Sequence, residues 1–210
     1  MVEKTGAANR LEAKSPEKTE ISGSYGIVIK PDPKTQQRAE HLAREMAPDA
    51  EFQVSFPHVT LYHARFENLP LQKVRGIVSD LRKHKHEILL LKHFEIFGGK
   101  LMFWNIQRNV SLVSMHERTL GLAKFLNNEA VSRAQEEGLN MATEELENVK
   151  KFGHPLVLNQ YKPHITLAYD SKGLILPYPT PGERWWMKID DIVFAEMGQY
   201  GSVARVVELQ

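Results

Sequence analysis

Two pentapeptides, Pro57-His58-Val59-Thr60-Leu61 and Pro163-His164-Ile165-Thr166-Leu167, each set a histidine two residues ahead of a threonine in a short apolar run. Imidazole titrates near neutral pH and can take up or give a proton. A threonine hydroxyl both donates and accepts hydrogen bonds. On a β-strand, residues two apart share a face, so His58 and Thr60 point one way while Val59 and Leu61 point the other. His164 and Thr166 repeat the arrangement. Two such pairs facing one groove could grip a phosphate and move protons on both sides of it. Phosphodiester hydrolysis needs a water deprotonated on one side of phosphorus and a leaving oxygen protonated on the other. Two imidazoles, one neutral and one charged, supply both functions without a metal or cofactor. Thr60 and Thr166 would hold the non-bridging oxygens. The spacing leaves open which histidine is base and which acid.

A single His-x-Thr carries little weight in a chain with nine histidines. Two copies of a five-residue pattern are poorly explained by accident. Other residues near the motifs are candidates for holding substrate. Tyr62, two positions beyond Thr60, should share the face of His58 and Thr60, and Lys162, two before His164, could approach a phosphate. Tyr161, Tyr25 and Trp104 are candidate stacking platforms for a base, and Tyr200, between Gly198 and Gly201, a candidate on a late loop. His63, His93, His116 and His154 lack a partner motif and read as structural or surface residues. Neither His58 nor His164 has an Asp or Glu at the close i, i+4 ligand spacing that would support a zinc site, and there is no glycine-rich loop of the nucleoside-triphosphate kind.

The elements that must position the motifs can be read from periodicity. Tyr25–Lys30 is rich in β-branched residues and predicts a strand. Asp32 is a good N-cap and Pro33 suits the first helical position, and Ala39, Leu42, Ala43 and Met46 recur at helical spacing, so a helix is expected over 33–47. The first motif strand is expected at 56–63. A second helix should start at Asn68 or Leu69 and bury Leu71, Val74, Ile77, Val78 and Leu81. Glu87–Phe97 and Lys100–Ile106 read as strands joined by Gly98-Gly99, and Asn109–Val113 as another short strand. Residues 114–150 read as mostly helical, 163–169 as the second motif strand, and Trp186–Glu196 and Val203–Leu209 as the last two strands. The expected fold is α+β: two pseudo-symmetric lobes, each an antiparallel-rich sheet with helices on the outside, around a central cleft.

The 210 residues, 42% hydrophobic and 25% charged, suit one such bilobal domain over 24–210. Residues 1–23 are polar, lack the apolar core of a secretory signal, and read as a mobile tail. A net charge of +1 provides no field for long duplex nucleic acid, but is compatible with a nucleotide or an RNA end. No stretch is apolar enough for a membrane span. The absence of cysteine excludes disulfides and thiolate chemistry and fits a reducing, cytoplasmic setting. A monomer is expected.

The pair PHVTL and PHITL resembles the signature of the two-histidine (2H) phosphoesterase superfamily, two His-x-Thr/Ser motifs flanked by apolar residues, and matches it at His58, Thr60, His164 and Thr166. That superfamily includes 2′,3′-cyclic phosphodiesterases and bacterial RNA 2′-5′ ligase-like proteins. The resemblance implies a pair of α/β lobes with a central cleft over residues 24–209. It also implies a metal-independent phosphodiesterase acting on 2′,3′-cyclic phosphates, opened to 2′-phosphates, or on 2′-5′ linkages. Two alternatives remain: RNA 2′-5′ ligation by the same four residues, or a non-catalytic module that holds phosphorylated RNA ends.

Overall fold

A computed structural model describes residues 19–137, 141–178 and 184–209. Its described chain contains eight strands and five α-helices: β1 (Glu20–Pro31), α1 (Pro33–Met46), β2 (Phe52–Gln53), β3 (Val59–Pro70), α2 (Leu71–Leu81), β4 (Ile88–Phe97), β5 (Leu101–Ile106), α3 (Val110–Thr119), α4 (Asn128–Glu137), α5 (Thr143–Phe152), β6 (His164–Tyr169), β7 (Trp185–Met197) and β8 (Val203–Val207). This is the α+β class expected from the pattern of elements.

All strand pairings are antiparallel, in the order β1-β3-β6-β5-β4-β7-β8, with β2 on β6. An additional pairing of β1 with β7 closes six of the strands into a ring. Each half contributes four strands, β8-β7-β1-β3 and β4-β5-β6-β2. The halves join through the β4–β7 register on one side and a single rung, Val59 opposite Ile165, on the other. Because that rung lies at the start of both motif strands and they are antiparallel, β3 and β6 run away from each other beyond it. The cleft lies where they part.

Strand β1 shows why its sequence is apolar without alternation. Ile27, Val28 and Ile29 are all fully buried. Ile27 and Ile29 enter the main core, and Val28 packs on the opposite face with Val193, Ala195 and Met197. Both faces are covered along Ile27–Ile29, so no polar position is left in that stretch. At its end Asp32 caps α1: its carboxylate accepts from the backbone N–H of Lys34 and Thr35, each at 3.1 Å, and Pro33 opens the helix. Helix α1 buries Thr35, Ala39, Leu42, Ala43 and Met46, the face expected from its spacing.

Three expectations shift. Residues 20–23 open β1 rather than belonging to a tail, because Glu20 and Ile21 pair with Pro70 and Leu69; residues 1–18 lie outside the described residues. Helix α2 starts at Leu71, since Leu69 is buried as a strand residue and the Leu71 N–H donates to the Thr19 carbonyl. Asn109–Val113 is not a strand. The Asn109 side chain accepts from the Leu112 N–H at 2.8 Å and caps α3, and a cap of this kind outweighs the β-propensity of two valines. The two-residue β2 carries no periodic signal.

Candidate active site

Both motif histidines are held in the same way. The Nδ1–H of His58 donates to the Phe56 carbonyl at 2.8 Å, and the Nδ1–H of His164 donates to the Lys162 carbonyl at 2.6 Å. In each case the acceptor lies two residues back, across the motif proline. Proline holds the residue before it extended and has no N–H of its own, so the carbonyl is presented to the ring. Donation from Nδ1 leaves Nε2 as the working nitrogen of both rings. A parallel stack of His164 on Phe103, centroids 3.6 Å apart, fixes the plane of the second ring.

The rung between Val59 and Ile165 brings the motifs together. Both residues are fully buried in the main core, so their neighbours in sequence face the other way. Continuing the antiparallel register by one residue sets Thr60 beside His164 and His58 beside Thr166. Thr60 and His164 line a cavity of about 450 Å³. His58 lines a smaller adjoining hollow, and Thr166 lines both.

Electrostatics agree with this proximity. Burial pulls the His164 pKa down to about 4, and the neighbouring His58 and His63 lower it too, against the opposing pull of the Lys162 carbonyl and Glu95. Burial likewise lowers His58, although two carbonyls raise it. The second of those carbonyls belongs to Gly201, 3.1 Å from Nε2. Gly201 lies in a tight turn, Gln199–Gly201, in which Tyr200 takes a left-handed conformation (φ 59°) and stacks on Tyr169 at 3.9 Å. Tyr200, half-exposed, and Gly201 line both hollows. The turn therefore stands between the cavity and the working nitrogen of His58.

Tyr62 does not share the face of Thr60. Thr60 is the partner of Val28, but Tyr62 is the partner of Ile27, which leaves Leu61 as an extra residue in β3. This β-bulge resets the alternation. Leu61 and Tyr62 both enter the core, where the Tyr62 hydroxyl donates to the Phe152 carbonyl at 2.6 Å. His63, opposite Gly26, resumes the alternation after the bulge, and Tyr62 still contributes to the lining of the cavity beside it. The bulge frees two carbonyls from the ladder, and both are met by side chains. The Tyr161 hydroxyl donates to the Thr60 carbonyl at 3.0 Å and the His116 Nδ1–H to the Leu61 carbonyl at 2.5 Å. His116 and Tyr161 stack on each other, centroids 3.9 Å apart, and the Leu158 N–H donates to His116 Nε2, which fixes the tautomer. Tyr161 thus lies at the cavity wall as a brace for the bulge.

Lys162 lines the cavity with its ammonium 3.5 Å from Glu95 and over the Phe97 ring. Tyr25 and Trp104 are not in the site. Tyr25 has the parity of Ile27 and Ile29, so its ring points to the core and stacks on Phe194. Trp104 is fully buried between Phe94 and Trp185. The residues that sequence reasoning misses are His63, His154, Phe103 and Gly201. His63 depends on a bulge that leaves no mark in the residue types, and His154 on the left-handed turn at Gly153 that ends α5. Among the described residues, no cluster of three His, Asp or Glu side chains could hold a metal ion, and no helix is long and apolar enough to cross a membrane.

Comparison with solved structures places this architecture. A phosphoesterase matches at a TM-score of 0.55 with 14% identity, over 90% of this chain and 97% of that one. TT0787 of Thermus thermophilus matches at 0.56 with 17% identity, over 88% and 95%. The chain has their fold. E. coli LigT complexed with NADP+ shares it too, at 0.54 and 14% identity, over 90% of this chain and 95% of LigT. No family model and no curated protein matches the sequence. At these identities the likeness concerns the backbone, and the chemistry has to be argued from the side chains.

Proposed function

We propose that the chain is a two-histidine phosphoesterase that hydrolyses a phosphodiester without a metal. The observation that carries this reading is the Val59–Ile165 rung, which sets His58, Thr60, His164 and Thr166 on one face with both Nδ1 atoms tied to backbone. One neutral Nε2 takes a proton from water as the water oxygen bonds to phosphorus. The Nε2–H of the other ring gives its proton to the leaving oxygen as the old P–O bond breaks. The hydroxyls of Thr60 and Thr166 donate to the non-bridging oxygens, where charge builds up. The shared fold with a phosphoesterase and with LigT supports the assignment, and a 450 Å³ cavity beside His164 is of a size for a nucleoside. We assign 2′,3′-cyclic phosphates or 2′-5′ linked nucleotides as the substrate class.

The deciding experiment is incubation with a panel of 2′,3′-cyclic and 2′-5′ linked nucleotides, read by phosphorus NMR. Hydrolysis to a monoester that persists in EDTA is expected. Joining of RNA ends would indicate ligation instead. Binding without turnover would indicate a module for phosphorylated ends, and strong inhibition by EDTA would indicate a metal enzyme.

A further inference from the structure

The cavity contains a second pair of histidines that the phosphate chemistry does not use. His63 and His154 line it with ring centroids 4.4 Å apart in an edge-to-face arrangement. Both positions are built by glycines. Opposite His63 stands Gly26, where a Cβ would come within 2.9 Å of the His63 Cβ and 3.0 Å of the Tyr62 carbonyl oxygen. Before His154, Gly153 ends α5 in the left-handed region (φ 68°), where a Cβ would meet Leu126 at 2.8 Å.

Three of the four ring nitrogens of this pair are open for ligand. The Leu156 N–H donates to His154 Nδ1 at 3.1 Å, which places the proton on Nε2 and leaves that N–H as a donor. His63 has no hydrogen-bond partner among the described residues. Yet the one buried side-chain nitrogen or oxygen left unpartnered among them is Trp104 Nε1, so the His63 nitrogens reach the cavity. Burial, aided by His58, holds His63 down at about 4, and burial with the surrounding histidines pushes His154 well below its usual range. Both rings are neutral at pH 7. They offer hydrogen bonds, not charge. Around them the wall is largely apolar, with Phe97, Phe103, Leu101 and Leu156; its one lysine among the described residues is already paired with Glu95, and the Glu145 carboxylate, which accepts from the Ala142 N–H, also lines it. A flat, uncharged, hydrogen-bonding group next to a phosphate fits this wall, whereas a second phosphate does not.

We propose that His63 and His154 form a base-recognition wall, hydrogen-bonding the edge of a nucleobase whose phosphate sits on the four motif residues. The placement of the phosphate rests on the phosphoesterase reading; the nucleobase site does not.

Two measurements separate them. In kinetics with 2′,3′-cyclic AMP and the base-free glycerol 1,2-cyclic phosphate, His63→Leu and His154→Leu should raise KM for the nucleotide about tenfold more than for the glycerol ester. The change in kcat should be smaller than the change in KM, and His63→Gln should recover part of the loss. Equal losses on both substrates, or a fall in kcat alone, would overturn the proposal. The second measurement needs no turnover and no mutant. Adenosine is titrated into the wild-type protein and the imidazole carbon-bound proton signals are followed by NMR. Saturable shifts at His63 and His154, larger than at His58, are expected, and their absence overturns the wall even in an active enzyme. If adenosine shifts these signals while no phosphodiester is cleaved, the wall stands and the phosphoesterase reading fails.

Discussion

Val59 and Ile165 are Cα partners across the first residues of β3 and the opening of β6, and they form the one rung between these strands. Each side chain is fully buried. Their pairing turns four polar neighbours toward the cleft in a pseudo-twofold set, each histidine beside the threonine of the other motif. Neither motif is complete on its own half of the sheet, so removal of either histidine should disable the whole set. His58→Ala and His164→Ala are each expected to lower kcat at least about a thousandfold with a normal circular-dichroism spectrum and melting curve. Thr60→Val and Thr166→Val should cost about 10²–10³. A folded His58→Ala or His164→Ala with near-wild-type turnover would refute the assignment.

Acid is expected to shape the rate. A ring whose imidazolium is disfavoured by burial must reach lower pH before it binds a proton. With His164 near 4 and His58 also lowered, the singly protonated pair of the free enzyme forms on the acid side of 6.5. A bell in kcat/KM centred below pH 6.5 should result, its two limbs belonging to the coupled pair. A bound phosphate anion favours the imidazolium, so the bell in kcat should lie at higher pH. Measurement of both parameters from pH 4 to 9 checks the order of the two centres.

Stability should fall in the same range. In the unfolded chain His63 and His164 protonate near 6.5, while in the folded state both are held near 4. Between those values the unfolded state binds more protons, so the free energy of unfolding rises with pH and is lost progressively as pH drops from about 6.5 towards 4. Urea denaturation at several pH values should show this slope, and His63→Gln should flatten it. An unchanged slope in the variant would remove His63 from the account.

Much of the fold is legible in the sequence because the residues concerned act locally. Asp32 and Pro33 start α1 by backbone capping, and the apolar spacing of Ala39, Leu42 and Ala43 selects its buried face. The His-x-Thr spacing yields the shared face on each motif strand because only one residue of regular strand lies between the two. The same alternation fails one step later. It sets Tyr62 on the face of Thr60 and passes over His63, because the extra residue at Leu61 is stabilised from a distance by Tyr161 and His116. Tyr25 and Trp104, candidates by residue type alone, are misplaced because an aromatic type does not say which face of a strand it occupies. The glycines around Tyr200 point to a loop near the cleft, but the carbonyl of the following residue, not the ring, meets His58.

The two braces of the bulge should therefore influence the site without touching substrate. Tyr161→Phe removes the donor to the Thr60 carbonyl and leaves that oxygen unpaired at a cavity wall. A loss of about 1–2 kcal/mol in unfolding free energy is expected. Thr60 and His63 flank the bulge, so kcat and KM should both worsen, in contrast to a surface variant of equal stability. Wild-type kinetics in a destabilised Tyr161→Phe protein would show that the bulge is held by other contacts.

The turn over His58 makes the sharpest kinetic demand. A neutral His58 has one N–H, and Nδ1 already donates it to Phe56, so the Gly201 carbonyl faces a nitrogen that donates to it only when the ring is protonated. That contact is therefore weak in the resting protein, and access of a phosphate to His58 Nε2 is expected to require movement of the turn. Substrate then binds to the open fraction, and the apparent affinity is reduced by that fraction. Gly201 has φ 72°, and no atom lies within 4 Å of the point where a Cβ would stand. Gly201→Ala therefore meets no clash but costs about 1 kcal/mol for the left-handed backbone. The closed turn is destabilised and the open fraction grows. KM is expected to fall by up to about fivefold with kcat moving less, alongside a loss of about 1 kcal/mol in unfolding free energy. A KM that rises, with the same loss of stability, would mean that the closed turn is the form that binds substrate.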